Sequence, residues 1–131
     1  MVNFFSKYKI VFYSINFFLI FLYLFPGSLL GYIIYNDISI QPQITLNFII
    51  SSNHFYAFVL IAFVGFLTFI KLEQNKYLII YLISLSIILE FFHLIIPARS
   101  FQWSDLFGNF FGIIIVILIN HFIKKYEFFK K

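Results

Sequence analysis

The stretch EFFHLIIPARSFQWSDLFGNFFG, residues 90–112, gathers polar side chains in a chain that is otherwise almost entirely hydrocarbon. Only 11% of the residues are charged, yet this stretch holds the single arginine, Arg99, and two of the five acidic residues, Glu90 and Asp105. Ionisable groups at or below the lipid boundary of a membrane are costly, so each one indicates a structural or functional role. The apolar segments on both sides make this stretch the turn between two predicted membrane-spanning helices.

The composition of the chain predicts an integral membrane protein. Of its 131 residues, 63% are hydrophobic and 22 are phenylalanine, whereas soluble domains are about 45–50% apolar. A soluble domain of this length could not bury so much apolar surface, so lipid must cover much of it. The chain has no cysteine, which excludes a disulfide and a thiolate ligand or nucleophile. The net charge of +4 comes from short tails and one loop, and it does not indicate nucleic-acid binding.

Four apolar segments are each long enough to supply the ~20 residues that cross a bilayer. They lie at residues 8–34, 46–70, 77–96 and 105–123. The sequence therefore predicts an all-α fold: a polytopic membrane protein with one domain, residues 1–131, built as a four-helix transmembrane bundle. Pro26-Gly27 lies near the outer end of the first segment and predicts a kink or the end of its regular helix.

The distribution of basic residues predicts that both termini lie in the cytoplasm. In that orientation all lysines fall on the inner side and Arg99 alone falls on the outer side, a strong positive-inside signal. The lysines lie in both tails and between the second and third segments, at Lys7, Lys9, Lys71, Lys76, Lys124, Lys125, Lys130 and Lys131. The turn between the third and fourth segments therefore faces outward.

Several polar residues are predicted to lie at one depth in the outer half of the bilayer. Each lies about 14–17 residues along a predicted helix from a cytoplasmic lysine, which is ~21–26 Å at the rise of an α-helix. These residues are Glu90, His93, Asn109 and His54. Arg99 and Asp105 lie just above this layer.

Helical spacing places these residues on faces that can converge. The two polar residues of the third segment are three apart and share a face. Asp105, Asn109 and Gly112 form one stripe of the fourth segment, and Gly108-x-x-x-Gly112 permits close helix approach. Asp105 can cap its helix, whereas Asn109 lies a turn deeper and needs a partner inside the bundle. The sequence predicts a shared polar pocket that opens to the outside.

The chemistry of the candidates leaves alternatives open. Glu90 suits a general base or a ligand for a cationic group, or else an ion pair with Arg99. Arg99 suits a phosphate or carboxylate held by two parallel hydrogen bonds, or else a tether to Glu90 or Asp105. His54 and His93 suit proton transfer or metal binding, or else hydrogen bonds between helices.

The sequence predicts no metal and no cofactor. Glu90-x-x-His93 matches one element of the di-metal sites of helical bundles, but those sites need a second copy and further carboxylates. No nucleophile elbow, phosphate-binding loop or dinucleotide fingerprint is present. Whether the chain is an enzyme stays open on these grounds.

These residues resemble the pattern of the VanZ-like family of small membrane proteins. That pattern is roughly Glu-x-x-Gln, Pro-Gly-Arg and Asp-x-x-x-Asn-x-x-Gly over the last two spans. In the same order the chain reads Glu90-x-x-His93, Pro97-Ala98-Arg99 and Asp105-x-x-x-Asn109-x-x-Gly112. Of an earlier family element, Asp-Lys-x-x-His, only His54 remains, with Ile50 and Ser51 in place of Asp and Lys. The resemblance covers about residues 53–123.

The chain departs from the family pattern at two places that affect its chemistry. His93 replaces a neutral amide by a titratable ring, and the loss of Asp-Lys removes two charges near His54. If the family uses that pair in an active site, this member lacks the activity or takes a different ligand. The resemblance implies a multi-pass protein of the bacterial inner membrane with a role in the cell envelope, and it implies no settled reaction.

Together the resemblance and the outward pocket predict a binding or accessory protein. Its partners would be membrane lipids: an anionic lipid headgroup or a lipid-linked glycan, with Arg99 on the phosphate. The alternative is a small membrane enzyme acting on such a substrate, with Glu90 as base and His93 as acid or orienter. A third interpretation is a structural subunit with a membrane-protein partner, whose polar cluster only locks the helices together.

Overall fold

The computed structural model describes the backbone of residues 2–129 and the side chains of residues 8–71 and 73–126. Within these residues the fold is all-helical, without a strand, which confirms the all-α part of the predicted fold class. The helices are α1 (Val2–Leu24), α2 (Leu29–Tyr35), α3 (Ser52–Thr68), α4 (Leu72–Phe92) and α5 (Trp103–Phe129). Lys130 and Lys131, which contribute to the predicted orientation, lie outside the described residues.

Two of the described helices are long and apolar enough to cross a membrane. These stretches are Glu73–Phe92 in α4 and Trp103–Tyr126 in α5. A third span results if the bent pair Tyr8–Leu24 and Leu29–Tyr35 counts as one. Helix α3 is apolar but shorter, at 17 residues. The lengths and composition of these helices are those of a membrane protein.

A break at Pro26-Gly27 separates α1 from α2, and the two helix axes differ by 80°. Gly27 has a φ of +79°, and a Cβ there would lie 2.8 Å from the carbonyl oxygen of Ile38, so both strain and space require glycine. Ser28 caps α2, because its Oγ accepts a hydrogen bond from the Gly31 N–H at 2.9 Å. The predicted kink is confirmed, and the first apolar segment is two helices rather than one.

Helix α3 begins later than the predicted second segment, 46–70, because side-chain amides hold the preceding residues in a loop. Asn47 Oδ1 accepts from the Ser52 N–H at 2.9 Å. Asn53 Oδ1 accepts from the Ile44 N–H at the same distance. Such local side-chain bonds offer the backbone an alternative to helix. The apolar residues before Ser51 therefore belong to a loop, although their composition resembles that of a span.

The other helices are longer than predicted at their polar ends. Helix α4 begins at Leu72 rather than residue 77, so the connection from α3 is only residues 69–71. Helix α5 extends beyond the predicted 105–123 at both ends. Lysine is a good helix former, and its long side chain can hold its charge in water at the end of a membrane span. The hydrophobic pattern therefore marks the apolar part of each helix and not its ends.

The core lies between α1, α3, α4 and α5. Its fully buried apolar side chains include Phe58, Ile61, Leu82 and Ile113. The opposite face of α5 is also apolar but exposed, with Ile114, Leu118 and Phe122 between 46% and 64% accessible. A helix that is apolar on both its buried and its exposed face is typical of a membrane span.

The α3–α5 pair is the most extensive helix contact of the described chain, and two glycines make it possible. A Cβ at Gly108 would lie 2.8 Å from the carbonyl oxygen of Ser51, and one at Gly112 would lie 2.6 Å from that of Phe55. A side chain at either position would therefore force the backbones of α3 and α5 apart. The predicted close approach through Gly108-x-x-x-Gly112 is confirmed.

Replacing Gly112 by alanine is expected to lower the free energy of unfolding by about 1 kcal/mol, because overpacking costs ~1–3 kcal/mol and the gain in helix propensity offsets about 1. Unfolding in mixed detergent micelles measures the change. Ile114→Phe adds volume on the exposed face of the same helix and should stay within about 0.5 kcal/mol of the parent. An equal loss in both variants would contradict close packing at Gly112.

Candidate ligand-binding site

All six residues predicted for the site lie at one end of the helix bundle. His54 comes from the start of α3, Glu90 from the last turns of α4, and Asp105 and Asn109 from the first turns of α5. His93 caps the end of α4, and Arg99 lies in the loop that follows. Glu90, His93, Asn109 and His54 are all at most 5% exposed. The structure therefore brings together residues from three helices and one loop.

A three-way hydrogen-bond centre joins α1, α3 and α5. The Tyr23 hydroxyl donates to Asn109 Oδ1 at 2.8 Å and lies 3.0 Å from His54 Nδ1. His54 Nδ1 lies 3.2 Å from the same Asn109 oxygen. Tyr23 and His54 are therefore the partners inside the bundle that Asn109 is predicted to need. The predicted hydrogen bonds between helices are thus present for His54.

The partners of His54 fix which ring nitrogen carries the proton. An amide oxygen only accepts hydrogen bonds, and Tyr23 directs its one proton at Asn109 Oδ1. His54 Nδ1 must therefore donate. In the neutral ring Nε2 then carries a lone pair, and this nitrogen lies 3.4 Å from Asp105 Oδ2.

The second histidine pairs with Glu90 on its own helix. His93 Nε2 lies 3.0 Å from the backbone carbonyl oxygen of Tyr23 and must donate to it. His93 Nδ1 lies 3.4 Å from Glu90 Oε1, so the two residues of the Glu-x-x-His element face each other rather than lipid. The His93 ring also stacks on the Tyr23 ring, with centroids 5.8 Å apart.

Two buried polar atoms in this cluster have no hydrogen-bond partner among the described residues: Glu90 Oε2 and Asn109 Nδ2. Glu90 Oε1, by contrast, accepts from the Gln102 backbone N–H at 3.0 Å. A buried polar group without a partner costs ~1–3 kcal/mol, more if it is charged. These two atoms therefore have capacity for a hydrogen bond or coordination that the described residues do not use.

Arg99 contacts the broken end of α1. Its Nε donates to the carbonyl oxygen of Phe25 at 3.2 Å, and its Nη2 donates to that of Leu22 at 3.0 Å. These carbonyls have no partner in the helix because α1 ends at Leu24. Of the alternatives left open, a direct tether to Glu90 or Asp105 is not the arrangement seen.

The guanidinium of Arg99 stays a cation in this position. Burial lowers the pKa of Arg99 from its ordinary value. The ordinary pKa of arginine is so high that the guanidinium remains charged at neutral pH. No other hydrogen bond of the guanidinium is present among the described side chains, so its remaining N–H groups are available to a ligand.

A cavity of about 330 Å³ opens beside the cluster, within the usual size range of small-molecule sites. Its polar lining includes Tyr23, His54, His93 and Arg99. Most of its remaining lining is apolar, from α1, α2, α3 and the loop before α3: Leu22, Leu29, Leu30, Ile44, Tyr56, Ala57 and Leu60. The cavity therefore has one polar end with a fixed positive charge and one apolar wall.

Tyr23 is the member of this site that the sequence analysis misses. It is 8% exposed, at the meeting point of His54, His93 and Asn109. The same counting that places the other residues also places Tyr23, which follows Lys7 by about four and a half turns at 3.6 residues per turn. In a chain with nine tyrosines, however, a tyrosine near a membrane boundary is unremarkable.

The arrangement defines a largely apolar cavity lined by one cation, beside a cluster of two histidines and two carboxylates of which only Asp105 is not fully buried. No protein-family model, curated protein or solved structure matches this chain.

Proposed function

We propose that this chain is a VanZ-like, multi-pass protein of the bacterial inner membrane that binds an anionic lipid headgroup or a lipid-linked glycan in an accessory role. The ligand enters the cavity beside Arg99 from the outer leaflet. The observation that carries this proposal is a single fixed guanidinium in a cavity whose other walls are mostly apolar.

In this proposal α1, α3, α4 and α5 are the four spans, α2 lies along the membrane surface, and both termini are cytoplasmic. The contacts at the far end of the bundle support this arrangement. Thr68 Oγ1 donates to the backbone oxygen of Tyr8 at 3.3 Å, so the end of α3 and the start of α1 meet near the lysines. The polar cluster lies at the other end. Helix α3 reaches ~25 Å at 1.5 Å per residue, so its outer end and His54 lie in the outer part of a hydrocarbon core ~30 Å thick.

Arg99 supplies the contact with the anion. Charge-assisted hydrogen bonds to phosphate are about twice as strong as neutral ones, and the planar guanidinium suits this geometry. Two of its N–H groups are held by the carbonyls of Leu22 and Phe25, so the side chain is oriented before the ligand arrives. Preorganisation of this kind lowers the cost of binding.

The apolar wall selects a lipid rather than a free anion. Leu30, Tyr56 and Leu60 line the cavity and are 38–52% exposed. In the membrane these side chains would contact a hydrocarbon chain, while the headgroup lies against Arg99. A free phosphate would leave this wall unused. A polyprenyl or acyl chain covers it.

Photo-crosslinking from the cavity wall tests the proposal. A photoreactive leucine analogue at position 60 is expected to capture one anionic or polyprenyl-linked lipid above its abundance in the membrane. The same analogue at position 114 is the matched control, because Ile114 is similarly exposed, 46% against 52%, but does not line the cavity. It should capture lipids in proportion to the membrane. Identical capture from both positions would contradict the proposal.

The second candidate is a membrane enzyme acting on the same class of lipid. It is favoured by the two His–carboxylate pairs, His54–Asp105 and Glu90–His93, each at 3.4 Å. In that case the parent protein converts the captured lipid over time and Glu90→Gln does not. A purely structural subunit would neither enrich nor convert a lipid.

A further inference from the structure

We propose that His54, Glu90 and Asp105 bind one divalent metal ion. Each residue offers one ligand atom, and these atoms all lie within 4.8 Å of one another. They come from three different helices, α3, α4 and α5. The proposal goes beyond the lipid-binding function, because of the three ligands only His54 lines the cavity, whereas Glu90 and Asp105 do not.

The hydrogen bonds of His54 leave it free to act as a ligand. Because Nδ1 donates to the oxygens of Asn109 and Tyr23, the neutral ring presents its Nε2 lone pair to Asp105. Metal-binding histidines almost always donate their other N–H to an oxygen in this way, which fixes the ring orientation. The centre formed by Tyr23 and Asn109 therefore has the position and chemistry of a supporting shell.

The three ligand atoms are all acceptors. Ionised carboxylate oxygens cannot donate a hydrogen bond, and neither can Nε2 of the neutral ring. Three such atoms within 4.8 Å repel one another unless a proton or a cation lies between them. Arg99 lines the same cavity as His54, but its guanidinium donates to the carbonyls of Leu22 and Phe25. A metal ion satisfies all three acceptors at once.

Glu90 gives the second, independent observation. Its side chain is 0% exposed, and its Oε2 has no partner among the described residues. Other contacts of the carboxylate, from Gln102 and His93, involve Oε1 only. Burying an acceptor without a partner is costly, and a bound ion removes that cost.

The donor set and spacing indicate the class of metal. One imidazole nitrogen and two carboxylate oxygens suit Zn²⁺, Mn²⁺ or Fe²⁺. Two ligands ~2.0–2.1 Å from a tetrahedral Zn²⁺ lie roughly 3.4 Å apart, and His54 Nε2 and Asp105 Oδ2 are 3.4 Å apart. The ligand oxygen of Glu90 lies within 4.8 Å of both atoms, so it has to move closer to complete the coordination of one ion.

Metal analysis of the purified protein tests the inference. The protein in detergent is stripped with a chelator, dialysed against Zn²⁺ or Mn²⁺, and then freed of unbound ion. We expect about one ion per chain by elemental mass spectrometry, together with a rise in melting temperature. His54→Ala should lower the bound metal at least tenfold. His121→Ala is the control, because His121 is an exposed histidine of α5 outside the cluster.

Asp105→Asn is the second variant, used in case His54→Ala fails to fold. It preserves the shape of the side chain, since it replaces one oxygen by nitrogen. It too should lose the ion at least tenfold, with an unchanged gel-filtration profile and helix content. The inference is overturned if the folded parent retains no more metal than Asp105→Asn. It is also overturned if His121→Ala loses as much metal as His54→Ala, which would indicate adventitious surface binding.

Discussion

Replacing Arg99 by glutamine is expected to weaken the binding of anionic lipid at least tenfold. A hydrogen bond to a charged group contributes ~1.5–3 kcal/mol, and about 1.4 kcal/mol is a factor of ten in affinity. Glutamine keeps a donor of intermediate length but removes the charge and the planar fork. Titration of the detergent-solubilised protein with short-chain phosphatidylglycerol measures the change, with phosphatidylcholine of the same chain length as the neutral reference.

Two further variants separate a specific site from general electrostatic attraction. Lys71→Gln removes one positive charge at the opposite end of the bundle, just before α4, and should leave the affinity unchanged. Arg99→Lys keeps the charge without the fork and should bind with an intermediate affinity. Equal losses in Arg99→Gln and Lys71→Gln would contradict the site. Helix content by circular dichroism controls for the role of Arg99 at the end of α1.

Replacing Asn109 by leucine is expected to lower the free energy of unfolding by about 2 kcal/mol. Hydrogen bonds between membrane helices contribute on average about 0.6 and at most about 1.7 kcal/mol each. Asn109 Oδ1 takes part in two of them, with Tyr23 and His54. Leucine has a similar volume, so the loss reflects those polar contacts rather than a cavity. Unfolding in mixed detergent micelles measures it.

Asn120→Leu is the matched control, since it makes the same change on the same helix away from the cluster, and it should stay within about 0.5 kcal/mol of the parent. A double-mutant cycle with Tyr23→Phe isolates the contact between Tyr23 and Asn109. The effect of Tyr23→Phe should shrink in the Asn109→Leu background, because the hydroxyl has then already lost its acceptor. Strictly additive effects would contradict the hydrogen-bond centre.

The sequence predicts that the polar side chains converge, because helix geometry and lipid leave few alternatives. A fixed rise per residue, counted from the lysines, places Glu90, His93, Asn109 and His54 at one depth. The structure brings these four side chains together. A polar side chain in such an apolar chain must face inward, so depth and helix face suffice to bring it near the others.

The partners of Arg99 could not be predicted, because they depend on where α1 breaks. The sequence predicts a kink at Pro26-Gly27, but not that the carbonyls of Leu22 and Phe25 would turn toward the loop after α4. The helix ends are unpredictable for a similar reason. Composition does not distinguish the apolar loop before α3 from the helix itself, and local bonds from Asn47 and Asn53 decide between them.

The sequence predicts no metal because the candidate ligands of a single helix are too few for a site. Glu90-x-x-His93 alone lacks the carboxylates of a metal site. The fold supplies Asp105 from α5 and His54 from α3, whereas His93 directs its Nε2 at the backbone oxygen of Tyr23 and keeps its Nδ1 beside Glu90. Convergence of ligands from separate helices is a property of the packing, which the Gly108 and Gly112 contacts allow but do not specify.

The lipids that copurify with the protein in native-lipid particles test most directly whether the protein binds an anionic or polyprenyl-linked lipid. We expect one anionic or polyprenyl-linked species to be enriched over the surrounding membrane in the parent protein, and Arg99→Ala to lose the enrichment while remaining folded. A lipid composition identical to the membrane in both proteins would contradict the account and assign the polar cluster to holding the helices together.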